Sequence, residues 1–184
     1  MTSPTKKLIC MLAGMIIIIL SILSFYPETA SQSITSDLAM GPTRHVTLVR
    51  VFKSKQTLQL LNDEEVVKEF HVALGRNPKG HKIEEGDKKT PEGLYILDYK
   101  KEDSAFYKAI HISYPNTQDI KNAASLNKKT GGQIMIHGQK NGLSWLSAVS
   151  QKFNWTNGCI ALTNEDMDIV WSFVEAGTPI EILP

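Results

Sequence analysis

The chain has 184 residues, 20 Lys and Arg against 19 Asp and Glu, a formal net charge of +1 and a hydrophobic share of 42%. That length suits one folded domain and leaves little room for a second. Near-neutral charge and an ordinary apolar content exclude a chain built around nucleic acid and a disordered one, so a partner has to be recognised by a site.

In chain order, Lys6 and Lys7 precede LICMLAGMIIIILSILSFY, an uncharged run over residues 8–26, close to the roughly 20 residues that a helix needs to cross a bilayer. Residues 1–26 are therefore expected to enter a membrane, with the lysines in the cytoplasm and the rest of the chain exported to the periplasmic or extracytoplasmic face. The exit YPETASQS places Glu28 at −3 for a cut after Ala30, which favours an uncleaved anchor over a processed signal peptide. Residues 27–43 are polar, lack periodicity and read as a linker; residues 44–184 read as the domain. Because Cys10 falls in the apolar run, the domain keeps Cys159 alone and can form no internal disulfide.

From His45 onward, runs rich in β-branched and aromatic residues separated by short polar breaks predict strands: HVTLVRVFKS, TLQLLN, VVKEFHVALG, GLYILDYK and AIHISYP. Phe70, Val72 and Leu74 should share one face. The run from Gly75 to Gly93 is rich in glycine and charge and reads as a long functional loop. A helix is expected over Thr117–Lys129, then the short strand QIMIHG, then a helix capped by Thr163, carrying Met167, Val170, Trp171 and Val174 on one face and stopped by Gly177. PIEILP closes the chain as a strand. The fold class expected is mostly β with α elements, including a helix after Cys159.

A nucleophilic thiol needs a base, since free cysteine is mostly protonated at neutral pH. Of the five histidines, His45 and His71 lie in amphipathic strands, His81 in the charged loop and His111 within KAIHISYP. His137 ends a buried-looking strand and precedes a glycine, which presents its imidazole at a strand mouth. Gly158, before Cys159, allows a close backbone approach and amides aimed at an oxyanion. The same features also suit a small buried cysteine and a locally bonded histidine, and the chemistry of the residues leaves both readings open. No paired metal-ligand spacing is present, so neither metal nor cofactor is expected.

Four segments in order resemble the L,D-transpeptidase catalytic domain (YkuD-like) family of bacterial cell-wall enzymes: EFHVALGRNPKGHKIEEGDKKTPEGLYILD, AIHISYPN, GGQIMIHG and TNGCIALTNEDM. The resemblance covers roughly residues 45–184 and implies a mixed β-sheet fold of that type. It implies Cys159 as the nucleophile that forms a thioester with a peptidoglycan stem peptide and His137 as the base, oriented by the carbonyl of Gly138. Amides of Asn157, Gly158 and Cys159 would form the oxyanion hole. The acceptor would be the amine of a second stem peptide or of a wall-tethered lipoprotein, in cell-wall biogenesis and cell shape. If water is the acceptor, the enzyme is instead an L,D-carboxypeptidase or amidase; a non-catalytic wall-binding module is a third reading.

The pattern departs from the family at two places. Thr156 and Asn157 precede Gly158, and Ala161 stands where arginine is common, which removes a fixed positive charge. The gap from His137 to Cys159, 159 − 137 = 22 residues, is also long, and the insert QKNGLSWLSAVSQKFNW is expected to wall the cleft with Trp145 and Trp155. Thr156, Tyr114 and Asn116 are further cleft candidates. Arg76, Asp87, Thr90 and Gly93 are expected to order the long loop, and Lys140 to be a solvated charge.

Overall fold

Burial alternates strictly along two neighbouring strands of the sheet. In β1 (Leu48–Phe52) and β8 (Thr178–Leu183) every second side chain is buried, as the period of two requires. The computed structural model describes residues 45–184; the anchor expected over 1–26 and the linker over 27–43 lie outside the described residues. The other strands are β2 (Thr57–Asn62), β3 (Glu65–His71), β4 (Gly93–Lys101), β5 (Ala109–Ile112), β6 (Met135–His137) and β7 (Ile160–Ala161).

They form one eight-stranded sheet in the order β3-β2-β1-β8-β4-β5-β6-β7. The pairs β1/β8 and β6/β7 are parallel and the rest antiparallel. β3 is solvent-facing except for Phe70 and carries Glu65, Lys68 and Glu69, charges that discourage further strand pairing. Beyond β3, Val72 and Leu74 bury with Phe70 as the alternation predicts.

That continuation reaches the opposite edge of the sheet. The Ala73 amide donates to the Ala161 carbonyl at 2.9 Å and the Ala161 amide to the Ala73 carbonyl at 2.8 Å. The two edges of the sheet thus meet at a seam of two fully buried alanines, and the two-residue β7 is held from both sides.

The core lines the inner face, where Val49, Val51, Leu58, Leu60, Leu97, Ile110, Ile136, Ile160 and Ile180 pack against a C-terminal helix. Among the described residues, three α-helices accompany the sheet. In α1 (Thr117–Ser125) Asn116 and Asp119 form a reciprocal capping box. A 3₁₀ turn at Ser144–Leu146 leads into the single turn α2 (Ser147–Ser150). In α3 (Asn164–Phe173) the Thr163 hydroxyl accepts from the Asp166 amide at 3.1 Å.

Helix α3 ends at Phe173, short of the expected stop at Gly177. Val174 is extended and fully buried, so core packing draws the chain out of the helix; Gly177, at φ +97, then turns it into β8. The buried face is Met167, Val170 and Phe173, while Trp171 is half-buried beneath the ammonium groups of Lys100 and Lys108.

Candidate active site

The register of β6 and β7 settles which side chains meet. Ile136 pairs with Ile160 and His137 with Ala161, so Cys159, one residue before β7, falls beside Met135. Alternation turns Ile136 and Ile160 into the core and sets Cys159 and His137 on the other face, as diagonal neighbours. Of the remaining histidines, His45 is exposed at the start of the described residues, His71 bonds the Gln151 carbonyl, His81 the Asp119 carboxylate, and His111 bonds Asp98 and stacks on Tyr99.

His137 is 2% exposed, and its Nδ1–H donates to the carbonyl of Gly138 at 2.6 Å. That bond fixes the tautomer and leaves Nε2 as the basic nitrogen. Burial pushes the imidazole down to about 4, against a smaller upward pull from the Gly138 carbonyl. Its walls are aromatic, with the Phe106 ring centroid 4.2 Å and the Trp155 centroid 5.8 Å away. Gly138 is required by crowding, since a Cβ there would lie 2.7 Å from Asn164 Oδ1 and 2.9 Å from the Tyr107 carbonyl.

The thiol of Cys159 is half-buried and donates to the Gln133 carbonyl at 3.7 Å. Burial raises it above the ordinary thiol value, offset in part by the Met135 backbone and the charge of Lys82. Thiol and imidazole are therefore both neutral at rest, an arrangement suited to proton transfer during attack and not to a standing ion pair.

Thr156 shapes the turn that carries the thiol. Its hydroxyl donates to the Cys159 carbonyl at 2.7 Å and accepts from the Gly158 amide at 3.1 Å. The Gly158 N–H, expected to face an oxyanion, is thus engaged within the turn. The amides of Asn157 and Cys159 make no hydrogen bond outside the strand ladder among the described residues. Gly158 sits at φ +132, and a Cβ there would meet the Lys89 carbonyl at 2.6 Å.

The loop from Gly75 to Gly93 presses on this turn. Asp87 accepts from Lys82 Nζ at 2.8 Å and from the amides of Ile83, Glu84 and Lys89. Burial raises its carboxyl, but these donors outweigh it and hold the group below the usual carboxylate range. Thr90 is buried and receives the Gly75 amide, Arg76 Nε donates to the Trp155 carbonyl, and Gly93 takes φ +130. All four residues order the loop.

Two cleft candidates have structural duties. Tyr114 is 2% exposed, its ring packed edge-on against Tyr95, and Asn116 caps α1. Of the insert, Trp155 lies beside His137 whereas Trp145 is 75% exposed, and Lys140 is exposed to solvent. Ala161 is fully buried, with Gln151 Nε2 donating to its carbonyl at 3.3 Å, a seam too close for an arginine.

Sequence reasoning missed Phe106, Lys82 and Gln133. Phe106 lies in a stretch without period, and Gln133 acts through its carbonyl, which no residue type reveals. Among the described residues no group of three or more His, Cys, Asp or Glu side chains is placed to hold a metal.

The family model for the L,D-transpeptidase catalytic domain (YkuD) matches residues 47–182. Over 132 residues the chain is 30% identical to "Putative L,D-transpeptidase YafK" of Escherichia coli (strain K12), covering 68% of this chain and 46% of that protein. Among solved structures, the helical cell shape determining protein Pgp2 from Campylobacter jejuni superposes with a TM-score of 0.57 at 28% identity, covering 74% of this chain and 47% of that one. An L,D-transpeptidase from Xylanimonas cellulosilytica shares the fold, with a TM-score of 0.51 at 17% identity over 85% of this chain and 70% of its own. The chain spans about half the length of the curated relatives it matches.

Proposed function

The chain belongs to the L,D-transpeptidase catalytic domain (YkuD) family, and from that premise we propose that it is an exported cysteine acyltransferase acting on peptidoglycan stem peptides. The observation that carries the reading is the shared face of Cys159 and His137, with Nδ1 of the imidazole committed to Gly138.

In the first step Nε2 of His137 takes the thiol proton as Sγ bonds to a stem-peptide carbonyl carbon. The oxyanion is met by the free amides of Asn157 and Cys159. The imidazolium returns the proton to the leaving amine, the C–N bond breaks, and a thioester remains. In the second step an amine of another stem peptide, or of a wall-tethered lipoprotein, attacks the thioester; His137 takes its proton and Sγ leaves as the thiol. Residues 8–26 would hold the domain at the extracytoplasmic face of the membrane. The similarity to Pgp2, described as a helical cell shape determining protein, supports a role in cell shape.

Ala161 favours a second reading, in which water takes the acceptor's place. A fully buried alanine on the nucleophile's face supplies no guanidinium to hold a second stem peptide's carboxylate. Incubating the protein with defined muropeptides and weighing the products decides between them: cross-linked dimers support transfer, and shortened monomers without dimers support hydrolysis. Cys159→Ala should abolish both products and the thioester adduct; turnover by that variant would sink either reading.

A further inference from the structure

The insert between Gln139 and Trp155 is packed with its polar side inward. Helical turns run from Ser144 to Phe153, whose amide still donates to the Ser150 carbonyl at 3.2 Å. Trp145, Val149 and Phe153 therefore recur at i, i+4 and i+8 on one face. They are 75%, 56% and 64% exposed. The inward side chains are instead Ser150, whose hydroxyl donates to Gln139 Oε1 at 2.7 Å, and the buried Gln151, whose Nε2 donates to the Ala161 carbonyl. A helical segment facing only water shows the reverse pattern, and an apolar stripe turned outward marks a contact surface.

Charge and chain length indicate what covers it. The segment carries two lysines and no acid. Lys140 and Lys152 are exposed, and among the described residues neither ammonium has an ion pair or a hydrogen bond. Acidic side chains adjoin the segment at its Asn141 end, where Glu102 and Asp103 precede the Ser104 carbonyl that receives Asn141 Nδ2. An aromatic and aliphatic stripe with free lysines at both ends has the chemistry of a helix lying in the interface of an anionic bilayer. Between the uncharged run 8–26 and the domain stand 43 − 27 + 1 = 17 residues, a length that spans about 20–25 Å as a flexible coil and about 55 Å extended. This stretch joins the domain at the Leu48 end of β1. The insert is tied near the other end, His71 pairing with Thr57 and bonding Gln151, and Gln56 bonding Asn154. Along the strand the two ends lie about 15 Å apart, well within the reach of the tether.

We propose that the insert is a second membrane contact, in which Trp145, Val149 and Phe153 enter the headgroup boundary of an anionic bilayer and Lys140 and Lys152 meet lipid phosphates. The inference goes beyond the acyl-transfer reading and rests on the part of it that takes residues 8–26 as the anchor. An anchor alone leaves the domain free to turn on its linker. The same insert ends at Trp155, beside His137, so a second contact fixes the orientation in which the catalytic face is held above the bilayer.

The test uses the full-length chain reconstituted into vesicles of phosphatidylethanolamine and phosphatidylglycerol, with and without brominated acyl chains, which quench indole fluorescence on contact. Subtracting the emission of Trp145→Phe isolates Trp145 from Trp155 and Trp171. The isolated signal should be blue-shifted and quenched by the brominated lipid. Lys140→Gln and Lys152→Gln should each lower the ratio of docked to undocked chains about fivefold, and replacing phosphatidylglycerol by phosphatidylcholine should weaken docking of the wild type but leave the double variant unchanged. Trp145 emission that brominated lipid leaves untouched overturns the contact. Shielding of Trp145 only by added sacculi, or only by rising protein density, also overturns it and assigns the stripe to the wall polymer or to a second copy. A chain that does not float with the vesicles overturns anchor and contact together. Quenching in a protein that forms no product from muropeptides keeps the contact and sinks the acyl-transfer reading.

Discussion

Two segments outside the sheet wall the catalytic face, and they are built in opposite ways. The loop from Gly75 to Gly93 is charged yet tied at many points: Asp87 gathers four donors, and the buried ammonium of Lys53 binds the carbonyls of Gly80 and Thr90 and the carboxylate of Glu92. The insert between Gln139 and Trp155 is mostly uncharged, and Trp145, Val149 and Phe153 stand in solvent. Its ties gather at its two ends, Gln139 to Ser150 and Leu162, His71 to Gln151, and Asn154 to Leu74 and Gln56. Buried polar bonds fix the backbone that touches the nucleophile's turn; exposed apolar residues fix nothing, and the insert's contribution to the site is confined to Trp155.

The same substitution should therefore differ most between the turn pressed by the loop and the insert. Gly158→Ala, against the loop, forces a Cβ to 2.6 Å from the Lys89 carbonyl at φ +132; a loss of about 3 kcal/mol in denaturant unfolding is expected, with activity falling alongside. Gly142→Ala in the insert, at φ +79 with nothing within 4 Å, should cost only about 1 kcal/mol. Equal losses would break the contrast.

Asp87→Ala comes next, because it strands the buried Lys82 ammonium and three amides; about 3 kcal/mol or less should be lost at neutral pH. Since the folded carboxyl lies below its ordinary value of 3.8, its stabilisation is complete above that value and disappears as pH falls through the folded one. The Asp87→Ala stability curve should thus lie below wild type at neutral pH and converge on it at low pH.

A smaller, sharper effect belongs to Phe106. Phe106→Leu removes a ring 4.2 Å from the imidazole, so water should return and the His137 titration, followed by NMR, should climb from about 4 toward 6.5. The acid limb of kcat/KM should move up with it, because the base must be neutral. In wild type the depressed imidazole also makes stability fall as pH drops from 6.5 toward 4, and the variant should flatten that slope. An unmoved titration would show that the ring does not desolvate the base. Trp145→Ser should change stability by no more than about 0.5 kcal/mol.

The parts legible in the sequence were those with a period or a steric signature. Alternation marked Phe70, Val72 and Leu74, the i, i+3 spacing marked Met167 and Val170, and the glycine at 158 announced a close approach. What escaped depended on tertiary context. Two residues, Ile160 and Ala161, are too few to show a strand, and Val174 left its helix only because the core had a place for it. Commitment of the Gly158 amide to Thr156 is likewise invisible in residue type.

The alanine seam gives the site a position in time as well as in space. Ala73 and Ala161 are 161 − 73 = 88 residues apart, so their pairing closes one of the chain's long loops, and such contacts tend to form after local hairpins such as β1–β2. Until the seam closes, β7 has β6 as its one neighbour, and the register that sets Cys159 beside His137 is held from one side only. A chain folded only as far as its hairpins carries an ordinary thiol, and the proposed nucleophile comes into being at the end of folding.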